Sequence, residues 1–289
     1  MKRLTSDRLV LGSLSLLAMV LSYTLISNAG LFRPEIVPPT QEIAVAFSEL
    51  VVGTRPPPLT EADLHAAHHM HSSDHVGALL QQGVTLQGSL AITAGRVLFG
   101  LAAGVPLGVL LGVLMGFYRR ADDYLHPIYV LLRSVPPLAL ITYVMLWLGH
   151  GEAHRLIPIV YAVAATMVIP AYHGVRDVLG TYVVAARSLG ARRSLLVRKV
   201  VLPAAGPAML AGLRYAVAIA WMTAVGAEML MSENGMGNLI VGGGLWASRT
   251  QTKADPAVVI VGIVALAAAG WAMDALARAA TVRLTRWVR

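Results

Sequence analysis

Six long apolar stretches, with few or no charged residues, constrain the fold more than any other feature of the sequence. Most exceed the roughly 20 residues that a helix needs to cross a bilayer. Lipid offers no hydrogen-bond partner to a backbone N–H or C=O group, so stretches of this length must cross as helices. The sequence therefore predicts an all-α, polytopic membrane protein with about six transmembrane helices. The predicted spans cover residues 9–31, 86–118, 125–148, 156–173, 203–231 and 256–273.

The composition agrees with a chain that lies in lipid. Of its 289 residues, 56% are hydrophobic and 13% are charged, whereas about a quarter are charged in a typical soluble domain. The first stretch has 18 residues from Leu9 to Ile26, longer than the roughly 7–15 apolar residues of a signal peptide. We therefore predict a retained membrane anchor, with cleavage after residues 27–29 as the alternative.

The distribution of Lys and Arg predicts the orientation, because short cytoplasmic loops are enriched in positive charge. With the N-terminus inside, the cytoplasmic segments carry 15 basic and five acidic residues, and the outer segments carry five basic and nine acidic residues. Both termini are therefore predicted to be cytoplasmic. The net charge of +8 follows from this topology and does not indicate a nucleic-acid partner, which would need a basic face on a soluble fold.

The chain is predicted to have four parts. A first transmembrane helix, 1–31, precedes an outer segment, 32–85, that is rich in His and Pro. The transmembrane core covers 86–276 and includes a basic intracellular loop at 176–203, and a basic tail covers 277–289. Within the core, five glycines recur every four residues from Gly100 to Gly116. This ridge allows close helix contact, and its drift around the axis leaves contact with more than one helix open.

The outer segment has two features of its own. Thr40 precedes apolar residues at helical spacing, which predicts a capped amphipathic helix along the membrane surface. A histidine tract follows, and imidazole nitrogens can bind zinc or copper. Since the flanking prolines impose no fixed geometry, we interpret the tract as a solvated loop and keep a metal site as the alternative. The apolar residues are Ile43, Ala46, Phe47 and Leu50, and the histidines are His65, His68, His69, His71 and His75.

The most informative segment is the predicted intracellular loop between the fourth and fifth spans. It reads Val184-Ala-Ala-Arg-Ser-Leu-Gly190, then nine residues, then Val200-Val-Leu-Pro203. Thr181 is predicted to cap a first short helix, which Gly190 ends with a left-handed turn. A second short helix is expected to be interrupted at Pro203, where the fifth span begins. The loop should thus form a basic docking knob.

A nucleotide-binding motif is absent from the sequence. A Walker A loop ends in Gly-Lys-Ser/Thr, and none of the three lysines, Lys2, Lys199 and Lys253, follows a glycine. The chain is therefore predicted not to hydrolyse ATP and not to be an enzyme.

The loop resembles the EAA loop of bacterial ABC importer permeases. In that family Glu-Ala-Ala is followed at fixed spacing by Gly and by Leu-Pro, and every spacing matches here, but Val184 stands in place of the Glu. The chain resembles most closely the taurine and aliphatic-sulfonate members of the nitrate, sulfonate and taurine branch. Residues 88–90, Arg96, 132–140, 147–152, 212–214, 227–228 and 235–237 carry this wider resemblance.

The resemblance implies a type I ABC importer permease of a bacterial inner membrane that pairs with a second copy of itself. It also implies a homodimer of ATPase subunits, which binds ATP and Mg²⁺, and a periplasmic or extracytoplasmic substrate-binding protein. The solute would be a small anion, with a sulfonate such as taurine expected first and nitrate or a vitamin precursor as alternatives. The coupling residues would be Val184, Ala185, Ala186, Arg187, Gly190, Leu202 and Pro203, docking mainly through packing because Val184 lacks a carboxylate.

Charged residues inside the spans are costly in lipid and indicate function. Arg96 and Glu228 are predicted in the outer half, as an ion pair between helices or as gate contacts. Arg133 and Arg214 are predicted near the inner interface, where their side chains snorkel or dock, and Arg133 is also a candidate for the substrate pathway. Pro136 should break the third helix and free carbonyls, either towards a cavity or in a packing kink.

Two rival functions fit part of the sequence. A secondary transporter would be expected to show repeated halves with broken helices, and the two halves here differ. A membrane-embedded metalloenzyme would need a pair such as His-Glu-x-x-His within a span, and no such pair is present. We therefore favour the ATP-driven permease.

Overall fold

The structure is a computed structural model that describes residues 2–29, 36–53, 85–149, 151–178, 182–230, 234–241 and 255–285. Regular structure within these ranges is entirely helical, which confirms the predicted all-α class. The helices, numbered in chain order, are α1 (Lys2–Asn28), α2 (Thr40–Val52), α3 (Leu86–Phe117), α4 (Arg119–Arg133), α5 (Pro137–Leu148), α6 (Glu152–Val178), α7 (Tyr182–Ser188), α8 (Arg193–Leu196), α9 (Leu202–Met229), α10 (Met236–Val241) and α11 (Pro256–Leu284).

Contacts divide the chain into two compact units. The first comprises Met1–Gln87 with Leu239–Val264, and the second comprises Gly88–Asn238 with Ala265–Arg289. The second unit contains the loop and all the embedded charged residues that the sequence points to.

Four helical segments are long and apolar enough to cross a membrane: α3, α6, α11, and α9 together with the turn at Val197–Val201 that precedes it. Helices α4 and α5 pass the same test only as a pair, bent by 89° at the break between them. In α1 the apolar part among the described residues, Leu17–Asn28, is shorter than a span. The described ranges therefore hold up to five spans, and the third predicted span, 125–148, is broken at its two prolines, as the sequence predicts.

The break between α4 and α5 arises from two consecutive prolines. Pro137 is the first residue of α5, where its missing N–H would have no intrahelical partner in any case. Pro136 has φ −62° and ψ 131°, an extended conformation that the ring of the next proline favours. The sequence correctly located the break, but the chain turns through nearly a right angle there instead of kinking within one helix.

The glycine ridge of α3 packs along α6. A Cβ at Gly104 would lie 2.7 Å from Val163, and a Cβ at Gly112 would lie 2.5 Å from the carbonyl oxygen of Val168. The other three ridge glycines also meet α6. The five glycines thus share one partner helix, because two helices that cross at an angle can follow an inclined row of i, i+4 positions over its whole length.

The core of the second unit lies where α3, α6 and α9 meet. Ile159 and Val163 of α6 and Ala220 of α9 are fully buried in it. Helices α6 and α9 approach closely at Gly212, where an added Cβ would collide with the ring of Pro170. The same three helices position the charged residues described below.

Helix α2 confirms the amphipathic helix predicted in the outer segment. Ala46 and Leu50 are buried on its inner face. The residue before the helix is Pro39, which makes no side-chain capping bond, so the expected cap at Thr40 was wrong. Thr40 is instead the first helical residue.

Candidate functional site

The loop between α6 and α9 contains the two short helices α7 and α8, joined at Gly190. Gly190 has φ 79°, and its N–H donates to the carbonyl of Arg187 at 2.9 Å. The N–H of Ala191 donates to the carbonyl of Ala186 at 3.1 Å. These two bonds form a Schellman motif, which ends a helix by satisfying its last carbonyls. The left-handed turn is therefore confirmed, whereas the predicted cap at Thr181 lies outside the described residues.

Buried aliphatic side chains fix this loop to the helical bundle. Val183, Leu196 and Val201 form a hydrophobic cluster with Val175 and Val178 of α6. Each of the three loop residues is less than 5% exposed. A force applied to the loop is therefore transmitted to α6 through packed side chains rather than through a flexible linker.

The opposite side of the loop carries exposed apolar and basic side chains. Val184 is 63% exposed, Leu189 is 89% exposed and Leu195 is 50% exposed, while Arg187 and Arg192 are exposed beside them. Apolar side chains interspersed with arginine are typical of protein-binding surfaces. Of the other predicted coupling residues, Ala185 and Pro203 are exposed, and Ala186 and Leu202 are half-buried.

The second short helix continues into α9 without a gap. A π-helical turn covers Val197–Val201, and the N–H of Leu202 donates to the carbonyl of Val197. Pro203 lies in the first turn of α9, where its missing donor is tolerated. The predicted interruption at Pro203 was therefore wrong, because the wider turn accommodates the proline and keeps the helix continuous.

A buried ion pair joins α3 to the C-terminal end of α9, which is the end opposite the loop. Arg96 Nη1 lies 2.7 Å from Glu228 Oε1. Arg96 is 5% exposed and Glu228 is 1% exposed. The sequence had left an ion pair and a gate contact open for these two residues, and the structure brings them into direct contact.

The carboxylate of Glu228 accepts two further hydrogen bonds. It accepts a hydrogen bond from the Thr93 hydroxyl at 2.8 Å and one from the Gly237 N–H at 3.0 Å. Gly235 has φ 101°, and an added Cβ there would collide with the Glu228 carboxylate. Both glycines are thus required by the close approach of this backbone segment to a buried charge.

The sequence did not predict the remaining partners of Arg96. Its guanidinium contacts Glu152 Oε1 at 2.7 Å and Asn234 Oδ1 at 2.6 Å. Glu152, at the start of α6, also binds Arg155 at 2.7 Å. Arg155 is 8% exposed. The i, i+3 spacing of the acid and the base was a readable signal for their pairing, but nothing in the sequence places them beside α3.

Arg214 of α9 forms an ion pair with a residue of α11. Its Nε lies 3.1 Å from Asp274 Oδ1, and Arg278 contacts the same carboxylate at 3.2 Å. The sequence leaves open whether Arg214 snorkels or docks at the inner interface, lines the pathway or pairs with another helix. The structure shows the pair, with a neutralising carboxylate on α11.

Arg133 lies at the break between α4 and α5, beside a cavity of about 690 Å³. Tyr129 lies one turn before Arg133 and donates a hydrogen bond at 2.8 Å to the carbonyl of Ala165. Ala165 lies at the middle of α6. The bend thus brings Arg133 to a cavity that the middle of α6 also lines, and its position near the inner interface stays a prediction. Pro136 adjoins the cavity through its neighbours Val135 and Pro137, which line it.

The histidines proposed as alternative metal ligands, residues 65–75, lie outside the described residues. Within the described ranges, no group of three or more His, Cys, Asp or Glu side chains is arranged to hold a metal ion.

Comparison with known proteins assigns the family. The family of binding-protein-dependent transport system inner membrane components matches residues 104–286, which is more than half of the chain and includes the loop and Glu228. The chain belongs to this family. It is therefore a multi-pass membrane protein and a permease subunit of an ABC importer.

Individual relatives are similar over most of their lengths. A probable ABC transporter permease of Brucella melitensis is 34% identical over 215 residues, covering 72% of this chain and 85% of the relative. The taurine transport system permease protein TauC of Escherichia coli is 32% identical over 203 residues, covering 70% and 71%. A putative aliphatic sulfonates permease, SsuC of Bacillus subtilis, is 32% identical with the same coverage.

A solved structure agrees at the level of the fold. The chain superposes on one from the inward-facing MetNI methionine ABC transporter with a TM-score of 0.52 at 22% identity, covering 70% of this chain and 93% of the other. This likeness confirms the type I importer fold.

Proposed function

We propose that this permease subunit imports a small sulfonate such as taurine and is driven by ATP hydrolysis on two copies of a separate ATPase subunit. It works as a homodimer in the inner membrane and receives its substrate from an extracytoplasmic binding protein. The observation that carries the proposal is the loop around Gly190, which is packed into the bundle on one side and exposes apolar side chains on the other.

The exposed side of the loop fits an ATPase subunit as its partner. The chain has no nucleotide-binding lysine motif, so the energy must arrive through contact. When two ATPase subunits close, they bind one arrangement of the loop better than another and thereby shift the permease between two states. Leu189, Val184 and Leu195 supply the apolar contact, and Arg187 supplies charge. The ATP and Mg²⁺ stay on the partner.

The continuous helix after the loop supplies a lever. Helix α9 extends from Leu202 to Met229, a length of about 42 Å at 1.5 Å per residue. The loop lies at its beginning and Glu228 at its end. A displacement of the loop therefore moves the partners of Glu228 without any flexible joint between them.

We assign the Arg96–Glu228 pair to the outer end of the permease, where it holds α3, α6 and α9 together. The excess of basic residues on the loop side supports this orientation, in which the loop and both termini are cytoplasmic. Arg133 and Pro136 belong to the substrate pathway, since both lie at the break beside the 690 Å³ cavity.

A sulfonate is proposed because two of the relatives are named for taurine and aliphatic sulfonates. The test is uptake by liposomes that contain the permease, its ATPase and its binding protein, with labelled taurine offered against unlabelled nitrate. We expect ATP-dependent taurine uptake that nitrate does not inhibit at equal concentration. Uptake that nitrate abolishes, or carriage of another solute but no sulfonate, would contradict the assignment.

A further inference from the structure

The cavity beside Arg133 has the size and lining of a ligand site. Its volume of about 690 Å³ lies within the range of roughly 300–1,000 Å³ that is usual for small-molecule sites. It is formed by the break after α4 together with the middle parts of α6 and α9. Aliphatic side chains, three tyrosines, a serine and a threonine line it, and Arg133 is the only charged residue among them.

Arg133 differs from the other embedded arginines in its partners. Arg96 contacts Glu228 and Arg214 contacts Asp274, each at ion-pair distance. No carboxylate of the described ranges forms an ion pair with Arg133, which lines the cavity together with the middle part of α6. A cation within a membrane-spanning bundle is costly unless it is neutralised or faces water. The cavity is therefore a place where an anion is electrostatically favoured.

Hydrogen bonds hold the wall of the cavity in place. The hydroxyl of Tyr161 donates to the carbonyl of Leu132, which also accepts a hydrogen bond from the Val135 N–H at 2.9 Å. The hydroxyl of Tyr129 donates to Ala165 at 2.8 Å. Both tyrosines thus have their donors engaged and present ring surface to the cavity. Tyr215 is 64% exposed and lines the same cavity as Arg133.

We propose that this cavity is a transient binding site for the transported anion, in which Arg133 binds a sulfonate group and the tyrosine rings pack against its short carbon chain. The assignment of a sulfonate rests on the proposed function, whereas the anion site itself rests on the lone arginine. The site is a stage on the pathway, where the substrate pauses after it leaves the binding protein.

Cysteine labelling tests the site independently of transport, because the chain contains no native cysteine. In the purified full-length Ser134→Cys variant, the thiolate in the cavity displaces methanesulfinate from a methanethiosulfonate reagent and forms a mixed disulfide. The anionic reagent, sulfonatoethyl methanethiosulfonate, carries the same charged group as the proposed substrate. The cationic reagent is trimethylammonioethyl methanethiosulfonate. We expect the anionic reagent to react on the order of tenfold faster than the cationic reagent. Taurine should slow the reaction of the anionic reagent.

The charge at Arg133 must cause this preference. Arg133→Gln should abolish it and Arg133→Lys should keep most of it, with both variants purified in the same yield. Ser188→Cys on α7 is the matched control, and its ratio of labelling rates should not respond to Arg133→Gln. A preference at Ser134→Cys that survives Arg133→Gln, or no preference at all, would overturn the site.

Uptake separates failure of the site from failure of the proposed function. With the reconstituted complex, Arg133→Gln should reduce taurine uptake by about tenfold while ATP hydrolysis stimulated by the binding protein changes less than twofold. Normal uptake by Arg133→Gln overturns the site and leaves the proposed function intact. If the wild-type complex carries no taurine but labelling keeps its Arg133-dependent preference, the substrate assignment fails and the anion site stands.

Discussion

Glu228 lies 2.7 Å from Arg96 and is 1% exposed, although the two residues are 132 positions apart in the chain. Taking both charges out of water has a large free-energy cost, which their attraction offsets only when neighbouring groups satisfy the remaining polar atoms. Here Thr93 and Gly237 complete the carboxylate, and Glu152 shares the guanidinium. The pair therefore depends on four separate helices, α3, α6, α9 and α10, staying together.

Removing one member of this pair should destabilise the permease strongly. Glu228→Ala leaves a buried guanidinium without one of the two carboxylates that lie 2.7 Å from it, and we expect a loss of about 3–5 kcal/mol in the free energy of unfolding. Arg96→Met should have a similar effect. Thermal unfolding of the purified protein measures both changes.

The double variant Arg96→Met with Glu228→Met provides the matched control. Because it buries no unpaired charge, its loss should be clearly smaller than the sum of the two single losses. Additive losses would show that the two residues do not interact energetically. As a further control, Arg283→Gln at an exposed position should leave the unfolding free energy unchanged.

Gly235 should tolerate no side chain. Its φ of 101° is unfavourable for other residues, and a Cβ would collide with the Glu228 carboxylate. We expect Gly235→Ala to lower the unfolding free energy by about 1–3 kcal/mol. Gly149→Ala is the control, since Gly149 has φ 73° but nothing within 4 Å of a Cβ. It should lower the unfolding free energy by less than Gly235→Ala does. Equal losses in thermal unfolding would show that strain alone matters.

The sequence predicted features that depend on local chemistry. The turn at Gly190 follows from the left-handed conformation that ends a helix, and the break at Pro136 follows from two rings that block it. The sequence did not predict the right-angle bend, because the direction in which α5 leaves depends on packing against other helices. The cavity that Arg133 lines together with the middle of α6 was not predicted for the same reason.

The parts of the candidate site whose residues lie close together in the sequence were predictable, and the parts formed by distant residues were not. The loop, whose members lie within 20 positions of one another, was assigned residue by residue. The cluster around Arg96 draws on residues from Thr93 to Gly237, so its membership depends on tertiary contacts. Only its two most conspicuous charges were identified, and Glu152, Arg155 and Asn234 were not.

Gly190 should be essential for coupling. A β-branched residue is strained at its φ of 79°, so Gly190→Val should distort the Schellman turn and separate ATP hydrolysis from uptake. We expect uptake to fall by about tenfold or more while the protein remains in the membrane and hydrolysis continues. Gly151→Val, at a position with open space around a Cβ and no left-handed φ, should transport normally. Unchanged uptake in Gly190→Val would contradict the role of the loop.

Leu189 should supply much of the contact with the ATPase. It is 89% exposed, and burying a Leu side chain contributes about 1.5–3 kcal/mol. Leu189→Asp should therefore reduce the affinity for the ATPase subunit by about tenfold or more, measured by titration of the purified subunits. Ser188→Asp adds the same charge at the adjacent position without removing apolar surface. Equal weakening by both would assign the effect to charge.

Deleting the histidine tract from His65 to His75 should leave transport within about twofold of normal, because a solvated polar loop needs no metal. Uptake is measured with and without a chelator. A chelator-sensitive uptake that the deletion removes would instead establish a metal role for the tract.

The dependence of uptake on the partner ATPase tests the central claim most directly. Liposomes containing this permease, the binding protein and the ATPase are compared with liposomes whose ATPase carries a substitution of its Walker A lysine. We predict taurine uptake only with the intact ATPase and only when ATP is available to it. Uptake that continues with the inactive ATPase and follows an ion gradient instead would contradict the account and make the protein a secondary transporter.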